Sequence, residues 1–414
     1  MRVYVASTRG TSGTPLPGAG GGSRIPTTVV LLGTVSLLTD ISAEMVTAFL
    51  PVYVIFNLQM SYLQLGLLDG IYTGATAVLR LVGGHVADRV HRHKAVAAVG
   101  YGLSAGTKLV FPSVGASAVG LGGVLALDRA GKGLRTAPRD AMISLVTPKE
   151  RLGAAFGVHR TMDTIGALLG PLVTFAILTW LTTNPGPIFV ISFGFGLLGL
   201  IVLVFFVRQP SRERVPAKRI TVRDSLDLLR DKAMRRTTIA AGLLGLATIS
   251  DVFVFVVLQK VSGVSPAWLA LMPVGTALTF LLAATPLGKL ADRFGRWRMF
   301  FAGHVVLAAV YLLLLGPFTG VALVLVTVAL HGLFYAATDG VLMAHGSTLV
   351  PERLRASGLS IVQTGQALAR LASSVCFGLL LQRLDFTWSV LIALGTMVAA
   401  LVGVALLIRP EVTR

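Results

Sequence analysis

Charge is what this sequence has least of. Only 13% of its 414 residues are Asp, Glu, Lys or Arg, against about 25% in an ordinary soluble domain. Acids are scarcer still, 18 against 36 Lys and Arg. A single cysteine, Cys376, allows no intrachain disulfide and leaves the redox compartment unread. The sequence lacks the His, Cys and acid spacing of a metal site and a nucleophile–His–acid set. The run Gly131-Lys132-Gly133-Leu134-Arg135-Thr136 is not a phosphate loop, because no Gly-x-x-x-x precedes a Gly-Lys-Ser/Thr. No metal, no cofactor and no enzyme activity are expected.

What the sequence has is apolar residues, 54% of the chain, with a mean hydropathy of +0.79. At about 20 residues per bilayer crossing, there is room for about a dozen spans with short loops. The apolar runs do not alternate with polar residues, as the strands of an outer-membrane barrel would over about 10 residues. The chain reads as an all-α, multi-pass membrane protein.

Twelve spans fit, at 28–57, 62–87, 95–115, 117–137, 154–180, 187–207, 237–259, 265–287, 298–317, 320–346, 356–381 and 387–408. Residues 1–26 carry Arg2, Arg9 and Arg24 among Gly, Ser, Thr and Pro, and read as a flexible tail. The apolar stretch that follows is too long for a signal-peptide core. The longest polar interruption, 208–236, holds ten Lys or Arg against four acids. It divides the chain into a six-helix half at 27–207, a basic linker at 208–236, a second six-helix half at 237–408 and a tail at 409–414.

The net charge of +18 suggests nucleic acid until its placement is read. Loops and span ends on the side of the N terminus hold 28 of the 36 basic residues, and the opposite loops hold two, Lys260 and Arg383. The remaining six are Arg80, Lys108, Arg129, Lys132, Arg160 and Arg370, inside spans. The positive-inside rule then puts both termini and the linker in the cytoplasm, and the chain in the inner (plasma) membrane. The positive charge follows from topology, and no nucleic-acid partner is expected.

An internal repeat underlies the two halves. Gly83–Lys94 reads GGHVADRVHRHK and Leu287–Arg298 reads LGKLADRFGRWR. Both contain G-x-x-x-D-R, and the glycines Gly84 and Gly288 lie 204 residues apart. Two six-helix halves related by duplication are the economical explanation, and such repeats are common in secondary transporters.

On these residues the chain resembles the major facilitator superfamily. Its G-x-x-x-D-R-x-G-R-x-R/K element is matched by Gly288, Asp292, Arg293, Gly295, Arg296 and Arg298. The first copy keeps Gly84, Asp88, Arg89, Arg92 and Lys94, with His91 in place of the second glycine. In span four, Arg129 and Gly133 are similar to the superfamily's R-x-x-x-G element. In span five, Gly166, Gly170 and Pro171 are similar to an element of drug–proton antiporters, with Thr174 and Phe175 where that element continues Gly-Gly. The run Asp128–Ala141, DRAGKGLRTAPRDA, looks like a bacterial branch of the superfamily. The resemblance implies two pseudo-symmetric six-helix halves, alternating access, and a gating role for the paired loop elements.

An ionisable residue inside a span is expensive and so is a functional candidate. Asp40 and Glu44, four apart on span one, share a face. Two carboxylates in low dielectric do not both ionise readily, so the pair suits a shared proton; separate anchoring by basic groups is the other reading. Asp128, Lys132 and Arg135 share a face of span four, as an anion-attracting cavity lining or as a bonded gate. Pro138 is expected to end or bend that helix before Arg139. His159, Asp163, Gly166 and Gly170 share a face of span five, suiting a proton relay or close packing. Gln363, Gln366 and Arg370 form a stripe on span eleven, and His331 and Asp339 lie in span ten. Asp88 and Asp292 pair with nearby bases in one state only if they gate, and in both if they merely anchor.

The residues therefore read as a monomeric secondary transporter in the lipid bilayer, moving a small organic molecule by alternating access. Proton-coupled efflux is the leading reading and transport of an organic anion the alternative. A receptor or scaffold gains nothing from charges inside its spans.

Overall fold

The computed structural model describes residues 25–74, 93–148, 151–208, 228–350 and 355–407. Among these residues there is no strand, and twelve helices follow one another. They are Thr27–Val52 (α1), residues 62–74 (α2), His93–Val110 (α3), Ala118–Val146 (α4), Leu152–Ala176 (α5) and Gly186–Ile201 (α6). After the linker come α7 in two pieces, Lys232–Ala247 and Asp251–Ser262, then Trp268–Phe294 (α8), Arg296–Leu315 (α9), Gly320–Thr348 (α10), Arg355–Arg383 (α11) and Phe386–Leu407 (α12). Nine segments among the described residues are long and apolar enough to cross a membrane. The others are α2, described only over 62–74, and the charge-bearing α3 and α4. The outer tails, most of the linker and the first loop element, with Gly84, Asp88, Arg89 and Arg92, lie outside the described residues.

Packing repeats between the halves. In the first half α1 packs on α5 and α6, α3 on α4, and α3 on α6. In the second, α7 packs on α11 and α12, α9 on α10, and α9 on α12. Each pair in one list is the other shifted by six helices, as a duplicated sequence should give. Small residues set the closest approaches. A Cβ on Gly170 would lie 2.8 Å from the Ile41 carbonyl oxygen and 2.9 Å from Glu44 Cβ, and one on Gly166 would strike the Leu37 carbonyl. The two glycines thereby seat α5 on the acid-bearing stretch of α1.

Two helices depart from the spans read in the sequence. Pro138 does not end α4, which runs through it to Val146. The next residue, Arg139, is held by Ser36, Asp140 and Asp163. Span seven, read as continuous, is broken at Thr248–Ser250. Its freed backbone groups find partners, as they must in a bilayer. Ile249 N–H donates to Tyr311 Oη at 2.7 Å, and the Thr248 carbonyl accepts from Ser373 Oγ at 2.7 Å.

Among the described residues the halves meet along α2 with α11 and along α5 and α1 with α8. Ser374 Oγ on α11 donates to Asp69 Oδ2 on α2 at 2.7 Å. A Cβ on Gly66 would lie 2.6 Å from the Ser374 carbonyl oxygen, and one on Gly378 would lie 2.6 Å from that of Tyr62. Tyr62 meets Phe386 edge to face at 5.7 Å, and Phe175 of α5 meets Trp268 of α8 at 6.2 Å. All these contacts lie at the end of the bundle away from Thr27, the far end.

Candidate functional site

The first half gathers its charges around α4. Asp128 turns toward α3 and is almost fully buried. Its Oδ1 accepts from Lys108 Nζ at 2.6 Å, Ser104 Oγ at 2.6 Å and Thr107 Oγ1 at 3.3 Å. Its Oδ2 accepts from Arg129 Nε at 3.0 Å and is also paired with Arg129 Nη2. Arg129 Nη1 donates to Tyr72 Oη at 3.2 Å, and the guanidinium lies 4.3 Å from the Tyr72 ring centre. One turn along, Lys132 is 34% exposed at the side chain, with Nζ 4.0 Å from Asp40 Oδ1 and 3.9 Å from Glu44 Oε1. Arg135 is buried, 3.5 Å from Asp40 Oδ1, with its guanidinium 4.5 Å from the Tyr101 ring centre. The stripe read on α4 thus divides. Asp128 and Arg129 fasten α4 to α3 and α2, Arg135 is packed under α1, and Lys132 remains accessible.

The α5 candidates complete the cluster. Asp163 lies 3.8 Å from Arg139 Nη1 and 3.3 Å from Arg160 Nη1. Its carboxyl faces that of Asp40 across the α1–α5 seam. Glu44, on the same face of α1 as Asp40, lies 3.9 Å from Lys132 Nζ. His159 turns to Ser36, 2.8 Å from its Oγ, and that hydroxyl also accepts from Arg139 Nη1 at 3.2 Å. It reaches Asp163 through Ser36 and Arg139, not by direct pairing.

The second half holds an open cavity of about 280 Å³ between α7, α8 and α10. Asp251, Phe255, Thr276, Phe280, Tyr335 and Asp339 line it. Tyr335 Oη donates to Asp251 Oδ1 at 2.5 Å and accepts from Arg370 Nη1 at 3.4 Å. His331 Nε2 is 3.5 Å from Asp251 Oδ1. The α11 stripe scatters: Gln363 Nε2 donates to Met343 Sδ at 3.2 Å, Gln366 packs on Gly245, and Arg370 faces Tyr335.

Comparison with known proteins now bears on this geometry. The family model described as Major Facilitator Superfamily matches residues 32–281 and 258–414. An uncharacterized MFS-type transporter of Methanocaldococcus jannaschii is 32% identical over 359 residues, covering 85% of this chain and 88% of that one. The chain belongs to the major facilitator superfamily.

Two solved structures carry the same fold. The nucleoside transporter NupG superposes with a TM-score of 0.79 at 15% identity, over 93% of this chain and all of that one. A bacterial homologue of the human lysosomal transporter Spinster, crystallised inward-facing and occupied, gives 0.68 at 16% identity, over 92% and 94%. An uncharacterized protein of Mycobacterium tuberculosis is 33% identical over 153 residues, 36% of each chain.

In this superfamily member the second loop element is described in full. Asp292 Oδ1 pairs with Arg296 Nε and Nη2, each at 2.9 Å, and Arg296 Nη1 donates to the Ala344 carbonyl at 3.1 Å. Gly295 has φ +104°, which is why a glycine stands between α8 and α9. Arg293 lies 5.4 Å from the Phe294 ring centre, and a Cβ on Gly288 would meet open space. The element here ties α8, α9 and α10 of one half together. Reading the sequence missed Tyr72, Ser36 and Ser104, which bond the candidate charges, and Tyr335, which links Asp251 to Arg370. Single tyrosines and serines in apolar spans carry no spacing signal that would have found them.

Proposed function

We propose that the protein is a proton-coupled secondary transporter that exports a small organic molecule by alternating access. The observation that carries this reading is the placement of Asp40 opposite Asp163 beside the accessible Lys132. A proton shared between α1 and α5, next to a cation within reach, is a site whose occupancy can change as the halves rock. The antiporter-like Gly166, Gly170 and Pro171 support it by seating α5 against α1 at that place. The distribution of basic residues supports a cytoplasmic location for the end bearing Thr27. With that orientation the far-end seams close the outer face, so the arrangement is inward-facing. The loop elements around Asp88 and Asp292 then serve the state in which the cytoplasmic face closes. Monomeric function in the inner membrane, with both termini cytoplasmic, fits this reading.

An organic anion is the second reading, and the accessible Lys132 favours it. Such a substrate must displace Asp40 and Glu44 from the ammonium.

The test begins with growth of cells, with and without the protein, against a panel of toxic organic cations, anions and neutral compounds. Compounds to which the protein gives resistance are then added to protein-containing liposomes loaded with a pH dye. Proton movement in response to compound is expected, with loss in Asp40→Asn and Asp163→Asn while compound exchange survives. Compound flux that ignores an imposed pH gradient, or variants with normal proton movement, would remove the coupling role.

A further inference from the structure

The charges of the second half differ in kind from those around α4. Asp339 forms no hydrogen bond and no ion pair among the described residues, although it lies inside α10. Asp251 Oδ1 is bonded to Tyr335, but its Oδ2 has no partner among the described residues, and the side chain is 45% exposed. Both carboxylates line the same cavity of about 280 Å³. The nearby cation, Arg370, does not line it; its Nη1 bonds to Tyr335 Oη, which in turn bonds to Asp251. A separate sign comes from His331. It is fully buried, its Nε2 has no hydrogen-bond partner, and that nitrogen points at the Asp251 carboxylate that borders the cavity.

Arg370 is the one cation whose charge reaches both carboxylates among the described residues, so the wall keeps an excess of acid, and acids inside spans are costly and mark substrate or ion pathways. The rest of the wall says which kind of ligand. Phe255, Phe280 and Tyr335 present aromatic rings, and the aromatic face attracts cations while accepting an apolar body. A calcium or magnesium ion would need six or more oxygens in close array, and two carboxylates with the Thr276 hydroxyl among aromatic walls do not supply them. An anion would meet two negative groups. The volume is close to the lower end of small-molecule pockets, about 300 Å³, which suits one ring with a small charged group.

We infer that this cavity binds an apolar organic cation, an ammonium group on an aromatic or aliphatic body, as the substrate of the transporter. Asp339 and Asp251 set its charge preference and Phe255, Phe280 and Tyr335 hold its body. The inference rests on the transporter reading above, but its test does not require flux.

Binding to the purified full-length protein in nanodiscs is measured by calorimetry with three probes of similar size: benzyltrimethylammonium, neutral N-benzylacetamide and anionic phenylacetate. The quaternary ammonium should bind at least about tenfold more tightly than the other two. Asp339→Asn should weaken it about tenfold or more, Asp339→Glu much less, and neither should change the weak binding of N-benzylacetamide. Asp251→Asn should act like Asp339→Asn, with thermal unfolding as the check on its fold. Equal binding of all three probes, no binding of the ammonium, or full affinity in folded Asp339→Asn protein would overturn the inference. Displacement of the ammonium by sodium at equal strength would reassign the carboxylates to an inorganic cation and overturn it too. Acid-dependent ammonium binding without flux in liposomes would sink the transporter reading and leave the site standing. Flux of other compounds without ammonium binding would do the reverse.

Discussion

Asp69 Oδ2 and Ser374 Oγ, 305 residues apart in the chain, meet at 2.7 Å in the seam between the two halves. The carboxylate is buried, and the bond exists only while α2 and α11 lie together. A hydrogen bond to a charged group contributes about 1.5–3 kcal/mol, enough to move a two-state equilibrium by roughly tenfold or more. Asp69→Ala is therefore expected to shift the protein toward a state open at the far end. Spin labels at positions 62 and 386 should show a larger population at long distance. An unchanged distance distribution would reduce the bond to a packing detail.

The same seam predicts a steric effect. Valine at 378 would place its Cβ 2.6 Å from the Tyr62 carbonyl oxygen, and backbone on both sides leaves little room to give. Gly378→Val should fold and insert, because its tightest clash is between halves, and the contact within its own half is with the edge of the Phe253 ring at 3.1 Å, a side chain that can shift. It should disfavour closure of the far end and abolish transport. A variant that closes and transports as the parent does would mean that α2 and α11 need not approach this closely.

How much of this was legible beforehand depends on the kind of signal. The twelve helices and their repeat were readable because twenty-residue apolar runs and a duplicated G-x-x-x-D-R survive in any sequence of this architecture. The break at Thr248–Ser250 was not, since Thr, Ile and Ser are ordinary span residues; the partners that permit the break, Tyr311 and Ser373, are remote in sequence. Spacing along one helix picks out candidate charges, but it does not say which neighbours they meet. Asp40 shares a face with Glu44 by i, i+4, and Asp163 and Arg135, on other helices, are further neighbours that this spacing does not reveal. Asp128 was placed in line with Lys132, whereas it faces Lys108 across the α3–α4 contact. Helical periodicity says which residues share a face, and only tertiary packing says what that face meets.

Orientation carries its own prediction. With Cys376, which is exposed, first replaced by serine, single cysteines placed in 208–236 should react with thiol reagents that enter the cytoplasm and not with impermeant ones on intact cells. Labelling by the impermeant reagent would invert the topology, and the inward-facing assignment with it.

The buried triad of Lys108, Asp128 and Arg129 gives a last test, because its charges do not sum to zero. Asp128 sits between two cations, bonded to Lys108 Nζ at 2.6 Å and to Arg129, with all three side chains nearly inaccessible. Removing the lysine leaves Asp128 and Arg129 as a neutral pair. Removing the acid leaves two cations together with no counter-charge. Breaking a buried pair so that a charge is stranded costs about 3–5 kcal/mol, while an apolar replacement that strands nothing is often near neutral. Asp128→Asn should therefore lower the unfolding temperature in detergent far more than Lys108→Met. The double variant should recover much of the loss, since it strands one cation rather than two and Arg129 keeps its bond to Tyr72. If the lysine variant proved the more damaging, or the double variant were no better than Asp128→Asn, the triad would owe its stability to packing and not to charge. In that case Arg129, freed of a structural duty, would become the next candidate for a role in coupling.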